Sequence, residues 1–273
     1  MTRAANPFAD FANPFKVVNY FIMEAVVLAG GKMPGSLVGV AGASERALIE
    51  IEGRTLLNRV LDSLRETPAI TRIICVATPD ALAALAPDIV GLAAGDQMTA
   101  NLFLGAREAQ SASILIVTAD APLVTNRTWT QFLDGAAQNG LEAAYPIVSR
   151  QDVEAQFPGG KRTYAALFEG SFTGGNAFLL PKNRLEHIEP LINQAFENRK
   201  NPLALARMLG AKFIFRFVSK KLTIGEVETK ISAFLGCTAG AVQVSDASIA
   251  FDVDKIEDLV TAREVAAKRK QSR

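Results

Sequence analysis

The run Val26-Val27-Leu28-Ala29-Gly30-Gly31 decides the fold, because an apolar strand ends there directly in two glycines. A short aliphatic run predicts a buried strand, and glycine lets backbone N–H groups approach phosphate oxygens closely. The loop that follows begins at Lys32 and ends at Arg46, two cations suited to neutralising phosphate. We predict a phosphate-binding turn here, with a simple tight turn as the alternative. The glycine spacings of a P-loop and of a dinucleotide-binding motif are both absent from the sequence.

Short β-rich runs alternate with helical patterns along the rest of the chain, which predicts repeated βα units and an α/β fold. The predicted strands occupy residues 25–28, 72–77, 114–118, 143–148 and 212–218. Helical spacing over residues 55–66, 99–110 and 128–139 predicts helices on both faces of the sheet, and residues 255–268 predict a closing helix with a basic end. The runs 163–168 and 177–180 flank glycine-rich turns and predict inserted antiparallel strands. We therefore expect a three-layer sandwich with a mixed, mostly parallel sheet.

The composition is that of an ordinary globular protein. Of 273 residues, 49% are hydrophobic and 21% charged, and 29 basic residues balance 28 acidic ones, so the overall charge favours neither a nucleic-acid nor a membrane partner. The apolar runs fall short of the roughly 20 residues that cross a bilayer, and the cytoplasm is the expected location. Residues 1–22, with Asn-Pro-Phe twice, are interpreted as an N-terminal extension: a disordered segment, a docking tail or a start mis-called ahead of Met23. Residues 23–273 are expected to form a single domain.

A second signal places a carboxylate at the end of a predicted strand, in the run Ile114-Leu115-Ile116-Val117-Thr118-Ala119-Asp120-Ala121-Pro122. Open α/β sheets bind their ligands at the carboxyl ends of the strands, and Pro122 stiffens the turn. Carboxylate oxygens suit Mg²⁺, whose remaining ligands can be triphosphate oxygens and water. Asp120 is therefore predicted to hold a metal ion, with capping of the following segment as the alternative.

A third signal lies near the last predicted helix, where Asp252 and Asp254 project to the same side of an extended chain. Either carboxylate can face a metal ion. Asp254 also stands where the helix begins, and Glu257 occupies the capping-box position three residues later. We therefore favour Asp252 as the metal ligand and Asp254 as the helix cap.

Four segments in this order resemble the motifs of MobA-like NTP transferases, which include molybdenum-cofactor guanylyl- and cytidylyltransferases and related sugar-phosphate and isoprenoid cytidylyl- or uridylyltransferases. They are residues 28–31, 46–57, 119–123 and 252–259, and the resemblance spans residues 24–265. It implies a Rossmann-like nucleotidyltransferase fold of the GT-A-like kind. It also implies two partners, a nucleoside triphosphate and a small-molecule acceptor.

The resemblance implies roles for particular residues. Nucleotide binding falls to Leu28, Ala29, Gly30 and Gly31, and Mg²⁺ to Asp120 with Asp252 or Asp254. Catalysis then depends on Lys32, Arg46 and Asp120. The segment from Gly95 to Asn101 resembles the family's loop near the nucleobase and ribose, and a simple helix entry is the alternative.

Two glycine-rich loops offer polar groups for an anionic acceptor. The predicted acceptor-binding residues are Lys161, Arg162, Gly175 and Asn176. The alternative is an exposed charged loop together with a glycine turn.

The expected activity is Mg²⁺-dependent transfer of an NMP group from an NTP to a phosphate- or hydroxyl-bearing small molecule, with release of pyrophosphate. Most family members carry a Gly-x-x-x-Arg-(Phe/Met)-Gly sequence and then a lysine, whereas here Lys32-Met33-Pro34-Gly35 follows the turn and Arg46 stands at the lysine position. Arginine is not a conservative replacement for a lysine point charge. A nucleotide-binding regulatory protein that has lost turnover is therefore an alternative. A glycosyltransferase is another, because Asp-x-Asp elements also hold metals in those enzymes.

Overall fold

The computed structural model describes residues 22–39, 42–160, 162–198 and 210–271, and elements are numbered in chain order within these ranges. The predicted N-terminal extension lies outside the described residues except for its last residue, Ile22. The strands are β1 (Met23–Ala29), β2 (Glu50–Ile51), β3 (Arg54–Thr55), β4 (Ile70–Ala77), β5 (Val90–Ala93), β6 (Ser113–Thr118), β7 (Ala143–Ser149), β8 (Ala165–Leu167), β9 (Gly170–Gly174), β10 (Ala177–Pro181) and β11 (Ala239–Gln243). The helices are α1 (Leu56–Arg65), α2 (Pro79–Ala83), α3 (Met98–Glu108), α4 (Asn126–Gln138), α5 (Arg150–Gln156), α6 (Leu185–Glu197), α7 (Ala211–Val218), α8 (Ile224–Leu235) and α9 (Ile256–Gln271).

One large sheet of nine strands forms the centre of the molecule, in the order β5-β4-β1-β6-β10-β7-β9-β8, with β11 also paired to β7. The first four strands of this order are mutually parallel, as right-handed βα units require. Residues of β1 and β4 are buried on both faces, because helices cover both sides. The sequence prediction of strands at β1, β4, β6 and β7 is confirmed.

An antiparallel strand divides the sheet. β10 pairs antiparallel with β6 on one side and with β7 on the other. β9 pairs antiparallel with β7 and with β8, whereas β11 is parallel to β7. Of the nine strands of this sheet in the described ranges, β9 and β10 alone therefore run against the common direction. The sheet is mixed and mostly parallel, as predicted from the inserted antiparallel strands beside glycine-rich turns.

Helices pack on both faces of the sheet and complete the three layers. Successive side chains of β1 enter opposite clusters, with Val27 in one and Val26 in the other. The first cluster receives the apolar faces of α1, α4 and α9, and the second receives those of α3 and α6. No helix in the described ranges is both long and apolar enough to cross a membrane.

A small hairpin of β2 and β3 leads into α1. Its two turn residues, Glu52 and Gly53, have φ values of 51° and 72°, the conformation of a two-residue type I′ turn. Thr55 ends the hairpin and caps α1, since its side chain accepts a hydrogen bond from the backbone N–H of Asn58.

The predicted strand at residues 212–218 is wrong, because this segment is helix α7. Phenylalanines alternate along it as they do in a strand, but its backbone makes helical hydrogen bonds such as that from the N–H of Ser219 to the carbonyl of Phe215. Arg216 pairs with Glu226 of α8 and donates to the carbonyl of Lys221, and Lys220 takes a left-handed φ of 56° just beyond the helix end. Short apolar runs do not separate helix from strand by periodicity alone.

Candidate active site

Three carboxylates meet where β6 ends and α9 begins. Oxygens of Asp120, Asp252 and Asp254 all lie within 4.8 Å of one another, and we call these three residues the acidic cluster. Val253 holds the two segments together, because its N–H donates to the carbonyl of Asp120 at 3.0 Å and its side chain is buried in the core. Since neighbouring residues of an extended chain face opposite ways, Asp252 and Asp254 both point away from the core.

The acidic cluster has the chemistry of a divalent-cation site. Asp120 is only 8% exposed, and its Oδ1 has no hydrogen-bond partner among the described residues. A buried carboxylate oxygen without a partner is costly, and a hard cation prefers such oxygens. The pKa of Asp254 is raised, first by burial and then by the charge of Asp252, although Arg46 opposes the shift. A cation would relieve this crowding of like charges, so the residues fit Mg²⁺.

Arg46 connects the acidic cluster with the glycine turn after β1. Its Nη1 lies 2.8 Å from Oδ2 of Asp120 and 2.5 Å from Oδ1 of Asp254. A Cβ on Gly31 would lie 2.8 Å from Nη2 of Arg46, so the absence of a side chain there makes room for the guanidinium. One side chain therefore touches both halves of the predicted site, which lie far apart in the sequence.

Arg162 contacts the acidic cluster from the other side. Its Nη1 donates to Oδ1 of Asp252, and its Nη2 lies 3.4 Å from the carbonyl of the same residue. The guanidinium carbon also lies 5.3 Å from the ring centre of Phe251. Arg162 was predicted to bind the acceptor; in the structure its guanidinium is paired with a predicted metal ligand. Lys161 lies outside the described residues.

A cleft of about 750 Å³ opens beside the glycine turn, a size typical of a small-molecule site. Its lining includes seven of the residues predicted for nucleotide binding and catalysis: Leu28, Gly30, Gly31, Lys32, Arg46, Gly95 and Asn101. A smaller recess shares Leu28, Gly31 and Arg46 with the cleft and also reaches Ala29 and Asp120. The cleft and the acidic cluster are thus continuous through Arg46.

Asn101 shapes one wall of this cleft. Its Oδ1 accepts the N–H of Gly95 at 2.7 Å, and its Nδ2 donates to the carbonyl of Gly95 at 2.9 Å. Both ends of the amide are therefore used inside the protein, where they fix the loop that precedes α3. A Cβ on Gly30 would lie 2.6 Å from Cβ of Ala94, so the glycine turn packs directly against this loop.

Gly175 and Asn176 support the acidic cluster through the backbone. The N–H of Gly175 donates to the carbonyl of Pro146, and both nitrogens of Asn176 donate to the carbonyl of Ile249, at 2.8 and 3.2 Å. The carbonyl of Asn176 in turn accepts the N–H of Thr118. These bonds tie β10 to β6 and to the segment that leads to Asp252. The role of both residues in acceptor binding stays a prediction.

The cap of α9 differs from the expectation. Asp258 accepts the backbone N–H groups of Asp254 and Lys255, at 3.2 and 3.0 Å. Asp254 directs its carboxylate to Arg46 instead of to the helix. The interpretation of Asp254 as the cap was wrong, because the long-range ion pair competes for the same carboxylate.

Sequence reasoning missed Thr118, the last residue of β6. It lines the cleft, and its Oγ1 is buried without a hydrogen-bond partner among the described residues. Its position at the end of a buried strand, two residues before Asp120, was the available signal. Glu45 was missed as well; it lines the cleft and accepts a hydrogen bond from Thr78.

The fold and the site define a class, an α/β nucleotidyltransferase with a glycine turn and an acidic cluster at the carboxyl ends of its strands. The family model of the MobA-like NTP transferase domain matches residues 25–212, and the chain belongs to this family. A hypothetical transferase from Thermus thermophilus is 33% identical, with 86% of this chain and 98% of that one covered and a TM-score of 0.76.

More distant structures share the fold. The 2-C-methyl-D-erythritol 4-phosphate cytidylyltransferase of Thermus thermophilus is 17% identical, with a TM-score of 0.53 over 90% of this chain and 98% of that one. A CMP:2-keto-3-deoxy-manno-octonic acid synthetase complexed with CTP is 13% identical, with a TM-score of 0.56 over 90% and 99%. A comparison with curated proteins finds no match.

Proposed function

We propose that the protein transfers an NMP group from an NTP to a phosphate- or hydroxyl-bearing small molecule, with Mg²⁺ as cofactor and pyrophosphate as the second product. The observation that carries the proposal is the position of Arg46. Its guanidinium contacts Asp120 and Asp254 and also packs against Gly31. A triphosphate at the glycine turn would therefore lie next to the acidic cluster that binds its metal ion.

Each part of the site has a role in this reaction. The cleft binds the nucleoside, and the backbone of Gly30 and Gly31 contacts the triphosphate. The acidic cluster would hold Mg²⁺, which neutralises triphosphate oxygens when bound. Lys32 and Arg46 offset the negative charge that develops on the leaving group.

The chemical step needs no protein nucleophile. An acceptor oxygen attacks the α-phosphorus in line, the new P–O bond forms, and the bond to the bridging oxygen of the β-phosphate breaks; a hydroxyl acceptor releases its proton to water. Pyrophosphate leaves with that bonding pair, and catalysis consists of positioning and electrostatic stabilisation. We assign the acceptor to the side of the acidic cluster that carries Arg162, Gly175 and Asn176.

The first experiment identifies the nucleotide. Melting curves with ATP, GTP, CTP or UTP and Mg²⁺ should show stabilisation by at least one of them, by about 2.7 kcal/mol at a concentration one hundred times Kd. Pyrophosphate release is then measured with that NTP and a panel of phosphate- and hydroxyl-bearing acceptors. Stabilisation without pyrophosphate release from any acceptor would favour the regulatory alternative. Sugar transfer with release of a nucleoside diphosphate would favour a glycosyltransferase.

The Asp120→Asn variant tests the metal assignment. We expect loss of pyrophosphate release with a nearly unchanged melting temperature, because the substitution keeps the shape of the side chain and removes its charge. The matched control is Asp134→Asn on α4, which lines a separate groove of about 610 Å³ with Met23 and Pro181 at the opposite ends of the strands. Retained turnover in Asp120→Asn would contradict the assignment.

A further inference from the structure

We propose that Arg46 and Arg162 are internal counter-ions of the acidic cluster that make tight binding of a divalent cation depend on the nucleotide. The inference rests on the proposed function and adds the order and coupling of ligand binding. Its basis is that two arginines occupy oxygens of all three carboxylates: Arg46 contacts Asp120 and Asp254, and Arg162 contacts Asp252.

The charges explain why a cation alone should bind weakly. Three carboxylates and two guanidinium groups leave one net negative charge at the acidic cluster. Both arginine side chains are well shielded from solvent, with exposures of 21% and 18%, so their repulsion of an entering cation is only partly screened. Most of the negative charge that would attract a divalent cation is therefore already neutralised by the two arginines.

Arg46 is the residue through which a nucleotide changes this balance. Its guanidinium lies against Gly31, where the triphosphate is proposed to bind, and it contacts the carboxylates at the same time. Phosphate oxygens offer a guanidinium short, bidentate, charge-assisted hydrogen bonds. A bound triphosphate therefore draws the Arg46 charge toward itself and frees Oδ2 of Asp120 and Oδ1 of Asp254. Because linkage is reciprocal, the cation then strengthens nucleotide binding by the same factor.

Arg162 differs from Arg46 in its surroundings and in its proposed role. Its guanidinium lies over Phe251, and that ring packs against Phe157 with 4.7 Å between ring centres. Its guanidinium contacts Asp252 and the ring of Phe251, and it does not line the cleft beside the glycine turn. We therefore treat Arg162 as a fixed counter-ion and Arg46 as the one that responds to phosphate.

The test measures cation binding rather than turnover. Mn²⁺ is titrated into the full chain without nucleotide, and free Mn²⁺ is followed by electron paramagnetic resonance. Removal of one nearby positive charge in Arg46→Gln or Arg162→Gln should tighten Mn²⁺ binding about five- to tenfold. Arg46→Lys and Arg162→Lys keep the charge and should stay close to wild type. The control Arg107→Gln removes an exposed arginine that pairs with Glu189 on α6 and should change nothing.

A second measurement separates the two arginines. Equilibrium dialysis with labelled ATP, GTP, CTP and UTP, with and without Mn²⁺, gives the factor by which the cation tightens nucleotide binding. This factor should remain large in Arg162→Gln and fall at least severalfold in Arg46→Gln.

The outcomes distinguish the inference from the proposed function. Mn²⁺ binding that is unchanged or weaker in both glutamine variants overturns the inference, because the arginines would then only orient the carboxylates. If no NTP binds, the proposed function fails and the coupling fails with it, while the Mn²⁺ titrations still report on the counter-ions. If NTP turnover occurs but Mn²⁺ tightens nucleotide binding by the same factor in Arg46→Gln and wild type, the inference alone is wrong.

Discussion

Gly30 lies where the chain leaves β1 and packs closely against the loop that precedes α3. A Cβ at this position would lie 2.6 Å from Cβ of Ala94 and 3.2 Å from Nδ2 of Asn101. The Cβ of Ala94 moves only with its backbone, and Asn101 is held by two hydrogen bonds to Gly95, so neither neighbour can move aside easily. The missing side chain therefore keeps one wall of the cleft against the glycine turn.

At the residue scale we predict that Gly30→Ala destabilises the fold by about 1–3 kcal/mol, the range for an overpacked site. It should also weaken nucleotide binding, because the turn must separate from residues 94–95. Urea denaturation and the nucleotide-dependent melting shift measure the two effects. Gly35→Ala is the control, since a Cβ there meets no described atom within 4 Å. Equal behaviour of the two variants would contradict the role of the close approach.

The segment before α9 is the element that delivers two of the three carboxylates. Asp258, in the first turn of the helix, accepts the N–H groups of Asp254 and Lys255. The helix therefore holds this segment by its own first turn while Arg46 holds it from the other side. Glu257 stands beside Asp258 in the sequence and contributes its backbone carbonyl, which accepts a hydrogen bond from the Thr261 hydroxyl.

At the element scale we predict that Asp258→Ala lowers stability by about 1 kcal/mol, as for the loss of a helix cap. It should also weaken Mn²⁺ binding, because Asp254 loses its fixed position. Glu257→Ala is the matched control and should leave both quantities close to wild type. Chemical denaturation and the same Mn²⁺ titration measure both effects. A larger loss of stability in Glu257→Ala than in Asp258→Ala would instead support the capping box that the sequence suggested.

The stability of the whole molecule depends in part on a buried carboxylate at the amino end of β1, away from the candidate active site. Glu24 in β1 is 6% exposed and pairs with Arg72 of β4 at 3.2 Å. It also accepts the backbone N–H groups of Gln110 and Ser111, in the connection between α3 and β6. Burial alone would raise the pKa of this carboxyl, but these N–H donors and Arg72 outweigh it and lower the pKa. Glu24 thus joins the sheet to a helix layer.

At this scale we predict that Glu24→Gln lowers the free energy of unfolding by about 1.5–3 kcal/mol at neutral pH, since hydrogen bonds to a charged group are lost. The folded pKa lies below the unfolded one, so the carboxylate stabilises the fold fully above the unfolded pKa. This contribution is lost as the pH falls through the folded pKa. The difference between wild type and variant should therefore shrink at acidic pH.

Urea denaturation from neutral pH to about pH 3 measures this difference. The control is Glu108→Gln, which removes a more exposed partner of the same Arg72. A gap between wild type and Glu24→Gln that is independent of pH would show that packing, and not charge, explains the loss.

The sequence by itself determined the parts that depend on neighbours along the chain. The aliphatic run of β1, its ending at Gly30 and Gly31, and the delivery of Asp120 by β6 all follow from local pattern. The fold class and the family follow as well, because these motifs occur in a fixed order. The same reasoning failed at residues 212–218, where alternating phenylalanines suggested a strand and the chain forms a helix, because short apolar runs do not separate the two by periodicity.

Only the tertiary structure decided how the charges of the site are paired. Arg46 and Asp254 are 208 residues apart, and Arg162 and Asp252 are 90 apart. Their contacts depend on which strands become neighbours, and in particular on β10 lying between β6 and β7. Periodicity reports the face on which a side chain lies, but not its partner across the fold. For this reason the sequence could name Asp120, Asp252, Asp254 and Arg46, whereas the pairing of Asp120 and Asp254 with Arg46, and of Asp252 with Arg162, arises only when the sheet is formed.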